Sequence, residues 1–409
     1  MTARRPIRVA VLTQQISHYH AARYAVAKRQ FDRFRVFSAM NSADFSEFLS
    51  TTRDPDSVML FNGRLDYARA AVSGGLWREL HERLDQYRPD VVVVAGWSFS
   101  ESLAAIDWAR RSGAHVAIMS DSQVHDAERV AWREAIKSRV VSACDSALVA
   151  AGPHKDYAMQ LGIPGERIFF GYDAVDNDYF ARGAEHARAH ARILRTSRGL
   201  PEKYLLASGR FIPKKNFPRL VEAFAHAIRA NDAGYDLVIL GDGVERDAIE
   251  RTARRFKISH RLRLPGFRSY EALPMFYGLS SGFAHVPLVE QWGLVVNEAA
   301  ASSLPLVVSR PCGAASALVE HGVNGYVVFP RSVEDISSAL GKMMSLTDDE
   351  RWAMGAASKH IVSDWSPERY AQGLRSACEA ALDCPPRKLG FLDRALLRVL
   401  SHMRITKVQ

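Results

Sequence analysis

Two acidic residues, Glu290 and Glu298, lie eight positions apart in the segment LVEQWGLVVNEAAASSLP, residues 288–305. Gly293 lies between them, so the sequence predicts Glu290 in a loop after a strand and a helix that begins at Gly293–Leu294. The N–H groups at such a helix start attract phosphate, and the two carboxylates would accept hydrogen bonds from hydroxyls of one sugar-containing ligand. Helix capping plus surface charge is the alternative explanation of the same acids.

Basic residues follow a second strand, in LLASGRFIPKKNFPRLVEAF, residues 205–224. Gly209 permits a tight turn there, and Arg210 and Lys215 come after it. A helix is predicted from Asn216, which is a suitable N-cap. Cations beside a helix N-terminus at the carboxyl end of a strand form a site for phosphate oxygens. A solvated basic loop is the alternative.

Motifs of other nucleotide enzymes are missing from the sequence. It contains neither GxxxxGK[ST] nor a GxGxxG after a strand, while GDG at 241–243 fits a turn where another backbone or a ligand comes close. No Asp-x-Asp ends a strand, and we interpret DND at 176–178 as a turn. We therefore predict no metal site, so that Arg210 and Lys215 would have to offset the charge of a diphosphate.

Short runs of Val, Ile and Leu alternate with helical patterns in two series, which is typical of parallel sheets covered by helices. Strands of the first series are predicted at 7–12, 34–39, 90–96, 115–120 and 146–151, with helices at 75–88, 99–111, 128–142 and 153–161. Strands of the second series are predicted at 204–209, 236–243, 261–266, 282–287, 305–310 and 325–330. The predicted fold class is α/β, with two doubly wound domains at 1–180 and 203–363 joined by a charged linker at 181–202.

Composition narrows the class of protein. The chain has 409 residues, 47% of them hydrophobic and 24% charged, which is ordinary for globular proteins. Its four cysteines lack ligand spacing, so we expect neither disulfides nor zinc. No signal peptide or spanning segment is evident, which predicts a cytoplasmic protein. The net charge of +9 favours an anionic partner: a nucleotide, nucleic acid or a membrane surface.

Five motifs occur in an order that resembles family 4 glycosyltransferases, which are retaining enzymes of the GT-B fold. The motifs are GRFIPKKN, GDG, LPGF (264–267), EQWGLVVNEAAASSLPLVVS (290–309) and GVNGYVV (322–328). The resemblance is strong over 203–365 and weaker over the N-terminal half. It implies two Rossmann-like domains that face a deep inter-domain cleft, and a nucleotide-diphosphate sugar, linked to UDP, GDP or ADP, as co-substrate. It implies no cofactor and no required metal.

The resemblance also implies roles for particular residues. Arg210 and Lys215 would hold the donor diphosphate, Glu290 the hydroxyls of the transferred sugar and Glu298 those of the ribose. These and the remaining donor-side residues are Gly209, Arg210, Lys215, Phe267, Arg268, Glu290, Gly293, Leu294 and Glu298, with Glu290, Arg210 and Lys215 as the catalytic group. The amides of Gly293–Leu294 would receive a phosphate, and Gly266–Phe267–Arg268 would border the base. The leaving diphosphate would help to accept the acceptor's proton, without a protein nucleophile.

The N-terminal half departs from the family pattern. Many relatives have a Gly-Gly loop after the first strand, where this chain has TQQISHYHAARYAVAKR at 13–29. Tyr19, His20 and Arg23 would line the acceptor side, although surface positions suit the histidine equally well. Relatives also have a histidine after the strand that ends near residue 120, where this chain has MSDSQVHD; Asp121 is our candidate at that place.

The C-terminal segment has two parts. Pro367, after Ser366, is predicted to open a helix, and by the resemblance 364–384 crosses back to the N-terminal domain. Residues 385–409 form a basic amphipathic tail, in which leucine and valine recur at helical spacing among Arg387, Lys388, Arg394, Arg398, Arg404 and Lys407. This tail would either dock on an anionic membrane or pack on the protein's own surface.

The resemblance implies a retaining hexosyltransferase with a glycan or lipid-linked acceptor, in bacterial cell-surface polysaccharide biosynthesis and placed on the inner face of the cytoplasmic membrane. A sugar-nucleotide epimerase-hydrolase or a phosphorylase of the same fold is the alternative enzyme. A basic nucleic-acid-binding protein is the alternative outside enzymes, but the cations are dispersed and no nucleic-acid motif occurs, so we predict no nucleic-acid partner.

Overall fold

A computed structural model describes residues 6–40, 57–231 and 234–403. The chain forms two compact units: unit 1 contains 1–124, 128–174 and the residues from 367 onward, and unit 2 contains 125–127 and 175–366. No helix in the described part of the chain combines the length and the apolar character needed to cross a membrane.

The described part of unit 1 contains a parallel sheet of seven strands in the order β3-β2-β1-β4-β5-β6-β7. The strands are β1 Arg8–Thr13, β2 Arg33–Met40, β3 Ser57–Phe61, β4 Val91–Ala95, β5 His115–Ser120, β6 Ser146–Val149 and β7 Ile168–Phe170. The valines of β4 are fully buried because hydrophobic clusters cover both faces of the sheet, which explains its unbroken apolar sequence.

Helices of unit 1 connect these strands. They are α1 His18–Ala27, α2 Arg64–Ser73, α3 Gly75–Tyr87, α4 Ser100–Ser112, α5 Ala131–Val141 and α6 Gly152–Gln160. The predicted helices at 75–88, 99–111, 128–142 and 153–161 are all present, and one further helix, at 64–73, was not predicted. The sequence prediction missed β3 and β7, which lie at the two edges of the sheet. β7 has only three residues, too few for any periodicity to show.

The sheet of unit 2 is also parallel, with the order β10-β9-β8-β11-β12-β13 in the described residues. Its strands are β8 Tyr204–Ser208, β9 Asp236–Leu240, β10 Leu262–Gly266, β11 Gly282–His285, β12 Leu306–Ser309 and β13 Gly325–Val328. Its helices are α7 Asn177–Ala189, α8 Ala191–Arg198, α9 Phe217–Asn231, α10 Arg246–Arg255, α11 Leu273–Leu279, α12 Leu294–Ala301, α13 Ala315–Leu318, α14 Val333–Met344 and α15 Asp348–Val362. All six predicted strands are confirmed, and the doubly wound fold class with them.

The segment predicted as a linker at 181–202 is instead part of unit 2. It lies in α7 and α8, and Phe180 at its start is fully buried. Gly183 packs so closely on Pro274 of α11 that a Cβ on the glycine would come within 2.5 Å of the proline ring. Asp176, predicted within a turn, is the N-cap of α7, where its side chain accepts a hydrogen bond from the Tyr179 N–H. Unit 2 therefore begins at Val175, and the predicted boundaries at 180 and 203 are wrong.

The chain returns to unit 1 at Pro367, which opens α16, Pro367–Leu382, as predicted. The last described helix, α17 Phe391–Met403, packs on α4 through buried Leu397, and Trp77 Nε1 donates a hydrogen bond to Ser401 Oγ at 3.0 Å. One face of the predicted tail thus packs on the protein's own surface. Arg404 and Lys407 lie outside the described residues.

Candidate functional site

The loops after β8 and β11 meet at the centre of the unit 2 sheet. From β8 the chain builds the sheet outward through β9 and β10, and from β11 it builds outward on the other side, so the strand order reverses between β8 and β11. Ligands of open α/β sheets bind at the carboxyl edge beside such a reversal. The Leu288 N–H donates a hydrogen bond to the Lys214 carbonyl at 2.7 Å, which joins the two loops there.

Asn216 holds the first of these loops in place. It adopts a left-handed conformation, and its Nδ2 donates hydrogen bonds to the carbonyls of Val286, at 3.0 Å, and Pro330, at 2.8 Å. Asn216 directly precedes α9, which is the predicted N-cap position, and its carbonyl accepts a hydrogen bond from the Leu220 N–H at 3.2 Å. Because its side chain is buried and bonded to two backbone segments, Asn216 fixes the position of the neighbouring Lys215.

Lys215 and Glu290 form an ion pair across the two loops. The Lys215 ammonium contacts Glu290 Oε2, and the side chains of both residues are mostly buried. Lys214 Nζ lies 4.0 Å from the other carboxylate oxygen and is more exposed. Burial opposes ionisation of Glu290, but His285 and Lys215 outweigh it and hold the pKa of Glu290 well below its ordinary value. The pair thus forms a charged site at the edge of the sheet that is largely shielded from solvent.

His285, the last residue of β11, is a member of this site that the sequence reasoning missed. It is 1% exposed, and its Nε2 lies 3.7 Å from Glu290 Oε2. Burial lowers the pKa of His285, with Lys215 and Lys214 acting in the same direction and Glu290 opposing them. A polar residue that ends an otherwise apolar strand just before a candidate loop was the signal available in the sequence.

Gly293 begins α12, as the sequence predicts. Its φ of 102° lies in the left-handed region, and a Cβ there would come within 3.0 Å of Cys312 Sγ. Both facts require glycine at this position. The carbonyls of Glu290 and Trp292 accept hydrogen bonds from the N–H groups of Gly313 and Ala314, so the loop before α12 is fixed by the loop after β12.

Glu298 is inside α12 and nearly inaccessible, with 1% of its surface exposed. Its Oε2 accepts a hydrogen bond of 2.6 Å from the Tyr277 hydroxyl of α11. Burial and then Glu298 raise the pKa of the neighbouring Tyr270. The second acid of the sequence pattern is therefore held by a phenol rather than by a lysine, and its role toward a ribose stays a prediction.

The remaining donor-side residues lie on the loops after β8, β9 and β10. Gly209 donates its N–H to Leu240, and Gly241 donates its N–H to Gly266, so backbone bonds connect these loops in series. A Cβ on Gly241 would meet the Gly209 carbonyl at 2.0 Å, so it is a backbone that approaches the GDG turn closely.

Three predicted donor-side side chains on these loops are at least partly exposed to solvent. Arg210 is exposed, Phe267 is half-buried, and exposed Arg268 lies with its guanidinium 5.9 Å from the ring centre of Phe276. Their donor-binding roles stay predictions.

In unit 1, the predicted acceptor-side residues follow β1. His20 Nδ1 lies 2.8 Å from Ser17 Oγ and accepts the Ser17 N–H, so this histidine completes the capping box of α1. Burial, and then Arg23, lowers its pKa to about 3. Arg23 is buried, and its guanidinium donates to the carbonyls of Tyr19 and Tyr172. The acceptor-side role of Arg23 stays a prediction.

Asp121 follows β5 and is half-buried. It is electrostatically coupled to Asp173, a buried acid after β7 that the sequence reasoning missed. Burial raises the pKa of Asp173 well above its ordinary value, Asp121 adds to this, and Arg23 opposes it. The same neighbours surround Tyr172, whose pKa burial also raises. An acidic residue shortly after a strand is a signal that could have identified Asp173, but the sequence analysis did not predict β7, the strand that precedes it.

The chemistry available in unit 2 is charge pairing and hydrogen bonding. Within residues 6–40, 57–231 and 234–403, no group of three or more His, Cys, Asp or Glu side chains is arranged to hold a metal ion. A cation and a carboxylate on facing loops, next to a helix start, can bind a ligand that carries both phosphate and hydroxyl groups.

Residues 194–360 match the family model described as glycosyl transferases group 1. The GDP-mannose-dependent alpha-(1-6)-phosphatidylinositol monomannoside mannosyltransferase of Mycobacterium tuberculosis is 30% identical over 210 residues, which are 49% of this chain and 52% of that protein. The chain thus spans about half the length of the curated relatives that it matches.

Solved structures share the fold. An Anabaena protein in complex with UDP and glucose has a TM-score of 0.69 at 15% identity, over 90% of this chain and 98% of that one. A trehalose-6-phosphate synthase, studied for glycosyl transfer with retention, has a TM-score of 0.69 at 13% identity, over 91% and 99%. These likenesses establish the GT-B fold with two Rossmann-like domains. The family match makes residues 194–360 similar to the group 1 glycosyltransferases.

Proposed function

We propose that this protein is a retaining glycosyltransferase that moves a hexosyl group from a nucleoside-diphosphate sugar to a glycan or lipid-linked acceptor. The observation that carries the proposal is the Lys215–Glu290 pair, placed where the strand order of unit 2 reverses and next to the start of α12. The mannosyltransferase relative and the Anabaena complex support a sugar nucleotide as the donor.

The positive charge of Lys215 suits the diphosphate of such a donor, and the negative charge of Glu290 suits the hydroxyl groups of its sugar. Lys215, helped by exposed Arg210, would neutralise the diphosphate, and the N–H groups of Gly293 and Leu294 would bind a phosphate oxygen. Glu290 would accept hydrogen bonds from the sugar hydroxyls, because its low pKa keeps it ionised. Glu298 would do the same for the ribose.

The base would lie against the loop after β10. Gly266 ends that strand and is tied to the loop after β9 through the Gly241 N–H. Phe267 and Arg268 follow, and in this proposal main-chain groups of the loop read the base edge. UDP, GDP and ADP are equally compatible with such contacts, so the donor base has to be found by experiment.

The reaction itself needs no protein nucleophile in this proposal. The bond between the anomeric carbon and the diphosphate oxygen breaks, the acceptor oxygen bonds to that carbon on the same face, and the acceptor's proton passes to the departing phosphate. Lys215 and Arg210 stabilise the negative charge that develops on the leaving group. Since these cations take the part that a metal ion has in other transferases, activity should persist when EDTA is added.

A thermal-shift screen tests the donor assignment. Wild-type protein is heated with UDP, GDP or ADP and with their common sugar conjugates. A ligand at about 100 times its Kd adds about 2.7 kcal/mol of stability, which raises the Tm by several degrees. Glu298→Gln keeps the size of the side chain and should reduce this shift, while Glu320→Gln, at a distant turn of unit 2, is the matched control. No shift with any of these nucleotides would contradict the proposal.

The acceptor and the setting are further parts of the proposal. Tyr19, His20, Arg23 and Asp121 of unit 1 are the assigned acceptor-side residues, and bacterial cell-surface polysaccharide biosynthesis is the proposed process. Proton NMR of the product, made with the donor found in the screen, reports whether the anomeric configuration is retained. An inverted product would contradict the retaining assignment.

We also propose that α17 attaches unit 1 to an anionic membrane. Its inner face packs on unit 1, but Phe391 is 85% exposed, and Leu392 and Val399 are exposed as well. Lys388 and Arg398 nearby are also exposed, so the outer face presents apolar side chains next to positive charge. This combination matches the boundary between acyl chains and anionic headgroups.

Co-sedimentation with vesicles tests the membrane proposal. Wild-type protein should bind vesicles that contain phosphatidylglycerol, bind less at high salt, and not bind pure phosphatidylcholine vesicles. The double variant Phe391→Ser and Leu392→Ser should lose most binding without unfolding, because both side chains are exposed. Ile193→Ser removes an equally exposed apolar residue from α8 of unit 2 and should change nothing. Binding by the double variant at the wild-type level would overturn the proposal.

A further inference from the structure

We propose that His285 is a positioning residue: it becomes the hydrogen-bond donor that holds the Glu290 carboxylate when Lys215 turns to the diphosphate of the donor. The inference rests on the function proposed above for this site. It concerns a residue outside the sequence motifs.

The first observation is a buried nitrogen without a hydrogen bond. His285 Nε2 is inaccessible to solvent and has no hydrogen-bond partner among the described residues. A buried polar group without a hydrogen bond destabilises the folded protein, so its position calls for a reason. The nitrogen faces Glu290 Oε2 at 3.7 Å, which is about 0.8 Å longer than an ordinary N–H···O bond.

The second observation is that the imidazole is enclosed. A Cβ on Gly293 would lie 3.4 Å from His285 Nε2 and 3.5 Å from Glu290 Cγ, so these two side chains meet over the glycine. The ring of Phe283 lies beside the imidazole, 6.3 Å between centres and 17° from parallel. A histidine confined in this way keeps its Nε2 directed at the carboxylate.

The third observation is competition for one oxygen. Lys215 contacts Glu290 Oε2, the same oxygen that His285 faces. In the proposed donor complex the Lys215 ammonium is drawn to the diphosphate, and Oε2 loses that donor in part or completely. Lys214 is no substitute, since it lies 4.0 Å from the other oxygen and is exposed. A small movement of the Glu290 carboxylate would complete the His285 hydrogen bond.

The charges around His285 fit a neutral donor. Lys214 and Lys215 approach it from the loop after β8, Glu290 from the loop after β11, and Cys312 from the loop after β12. Burial and the two lysines lower the pKa of His285, so it is uncharged near neutral pH. A neutral imidazole with its proton on Nε2 donates to Glu290 without placing a third positive charge in the site.

Two variants separate positioning from packing. His285→Phe keeps a ring and removes the donor, whereas His285→Gln keeps an amide donor near the place of Nε2. Loss of a hydrogen bond to a charged group predicts a fall in kcat of about 10- to 100-fold for His285→Phe. His285→Gln should recover most of this loss. Because the hydrogen bond forms when the diphosphate draws Lys215 away from Glu290, the affinity for UDP, GDP or ADP should also fall in His285→Phe and be largely restored in His285→Gln.

The pH profile provides an effect that packing alone would not produce. Because His285 helps to keep the pKa of Glu290 low, His285→Phe should move the acid limb of kcat to higher pH, and His285→Gln should move it less. In wild-type protein with 15N-labelled histidine, saturating UDP, GDP or ADP should shift the Nε2 resonance of His285 as its hydrogen bond forms.

The outcomes distinguish the inference from the function on which it rests. If folded His285→Phe has the wild-type kcat and acid limb, or if His285→Gln is as impaired as His285→Phe, the positioning role is overturned while the donor site stands. If the wild-type protein binds none of the three nucleotides or their sugar conjugates, the proposed function fails, and the inference fails with it.

Discussion

The carboxyl edges of the two sheets share a topology and differ in chemistry. In both sheets the direction in which successive strands are added reverses near the middle. The reversal lies between β1 and β4 in unit 1 and between β8 and β11 in unit 2. In unit 2, Lys215 and Glu290 pair with one another and remain partly accessible. In unit 1, Arg23 is buried and donates to backbone carbonyls.

This difference shows what a doubly wound sheet does and does not supply. The topology provides an open edge in both units. The side chains of the loops determine whether charged groups at that edge are accessible to a ligand. In unit 1, the charged Arg23 already donates hydrogen bonds to backbone carbonyls of the protein.

Lys215→Ala should have the largest effect. It removes the cation assigned to the diphosphate and leaves the Glu290 charge without its main partner, so kcat/KM should fall about 100- to 1,000-fold. Lys214→Ala, the adjacent and more exposed lysine, should cost less than about fivefold. Steady-state kinetics with the donor from the screen measures both. Equal losses would show that general positive charge, rather than the pair, matters.

Gly293→Ala should destabilise the protein more than an equivalent change elsewhere. A left-handed conformation costs a non-glycine residue about 1–2 kcal/mol, and the contact with Cys312 Sγ adds to this. Gly322→Ala is the control: φ there is 84°, but a Cβ would meet nothing within 4 Å. Urea unfolding should give a larger loss for Gly293→Ala, and adding Cys312→Ala should recover part of it. Equal losses at both glycines would contradict the close packing at the start of α12.

Asp173→Asn should change how the stability of unit 1 depends on pH. Because burial and Asp121 raise the pKa of Asp173, the folded protein keeps a proton that the unfolded chain releases above the ordinary value of 3.8. Wild-type stability therefore falls as pH rises from 3.8 to the raised pKa, and this loss persists above it.

The asparagine variant cannot ionise, so its Tm should rise relative to that of the wild type as the pH increases above 3.8. Asp156→Asn, on the exposed side of α6, is the control and should follow the wild-type curve. A Tm difference between Asp173→Asn and the wild type that is independent of pH would show that Asp173 is already ionised in the folded protein.

Much of the fold was predictable because buried parallel strands have a strong local signal. Eleven predicted strands appear in the structure, since each is a run of apolar residues that alternates with a helical pattern. The error at 181–202 has a physical cause as well. α8 is highly charged, with no fully buried side chain, so its sequence resembles a linker although the backbone is helical.

The candidate site was predicted in part. The positions of Lys215, Glu290 and Gly293 follow from strand ends, a helix start and a required glycine, all of which are local. His285 and Asp173 were missed because their importance comes from neighbours that are distant in sequence. His20 was predicted at an acceptor surface, but its ring is engaged in the capping box of α1.

The sequence alone determined the two α/β sheets, the residues at their carboxyl ends and the place where α12 begins, because these depend on hydrophobic period and backbone geometry over a few residues. Only the tertiary structure decided which charges meet. Lys215 and Glu290 are 75 positions apart in the chain, and the ion pair between them exists because β8 and β11 are neighbours in the sheet. The charged neighbours that lower the pKa of Glu290, and the burial that shifts the pKa of His285 and Asp173, likewise come from the packing of the folded chain, which no local pattern encodes.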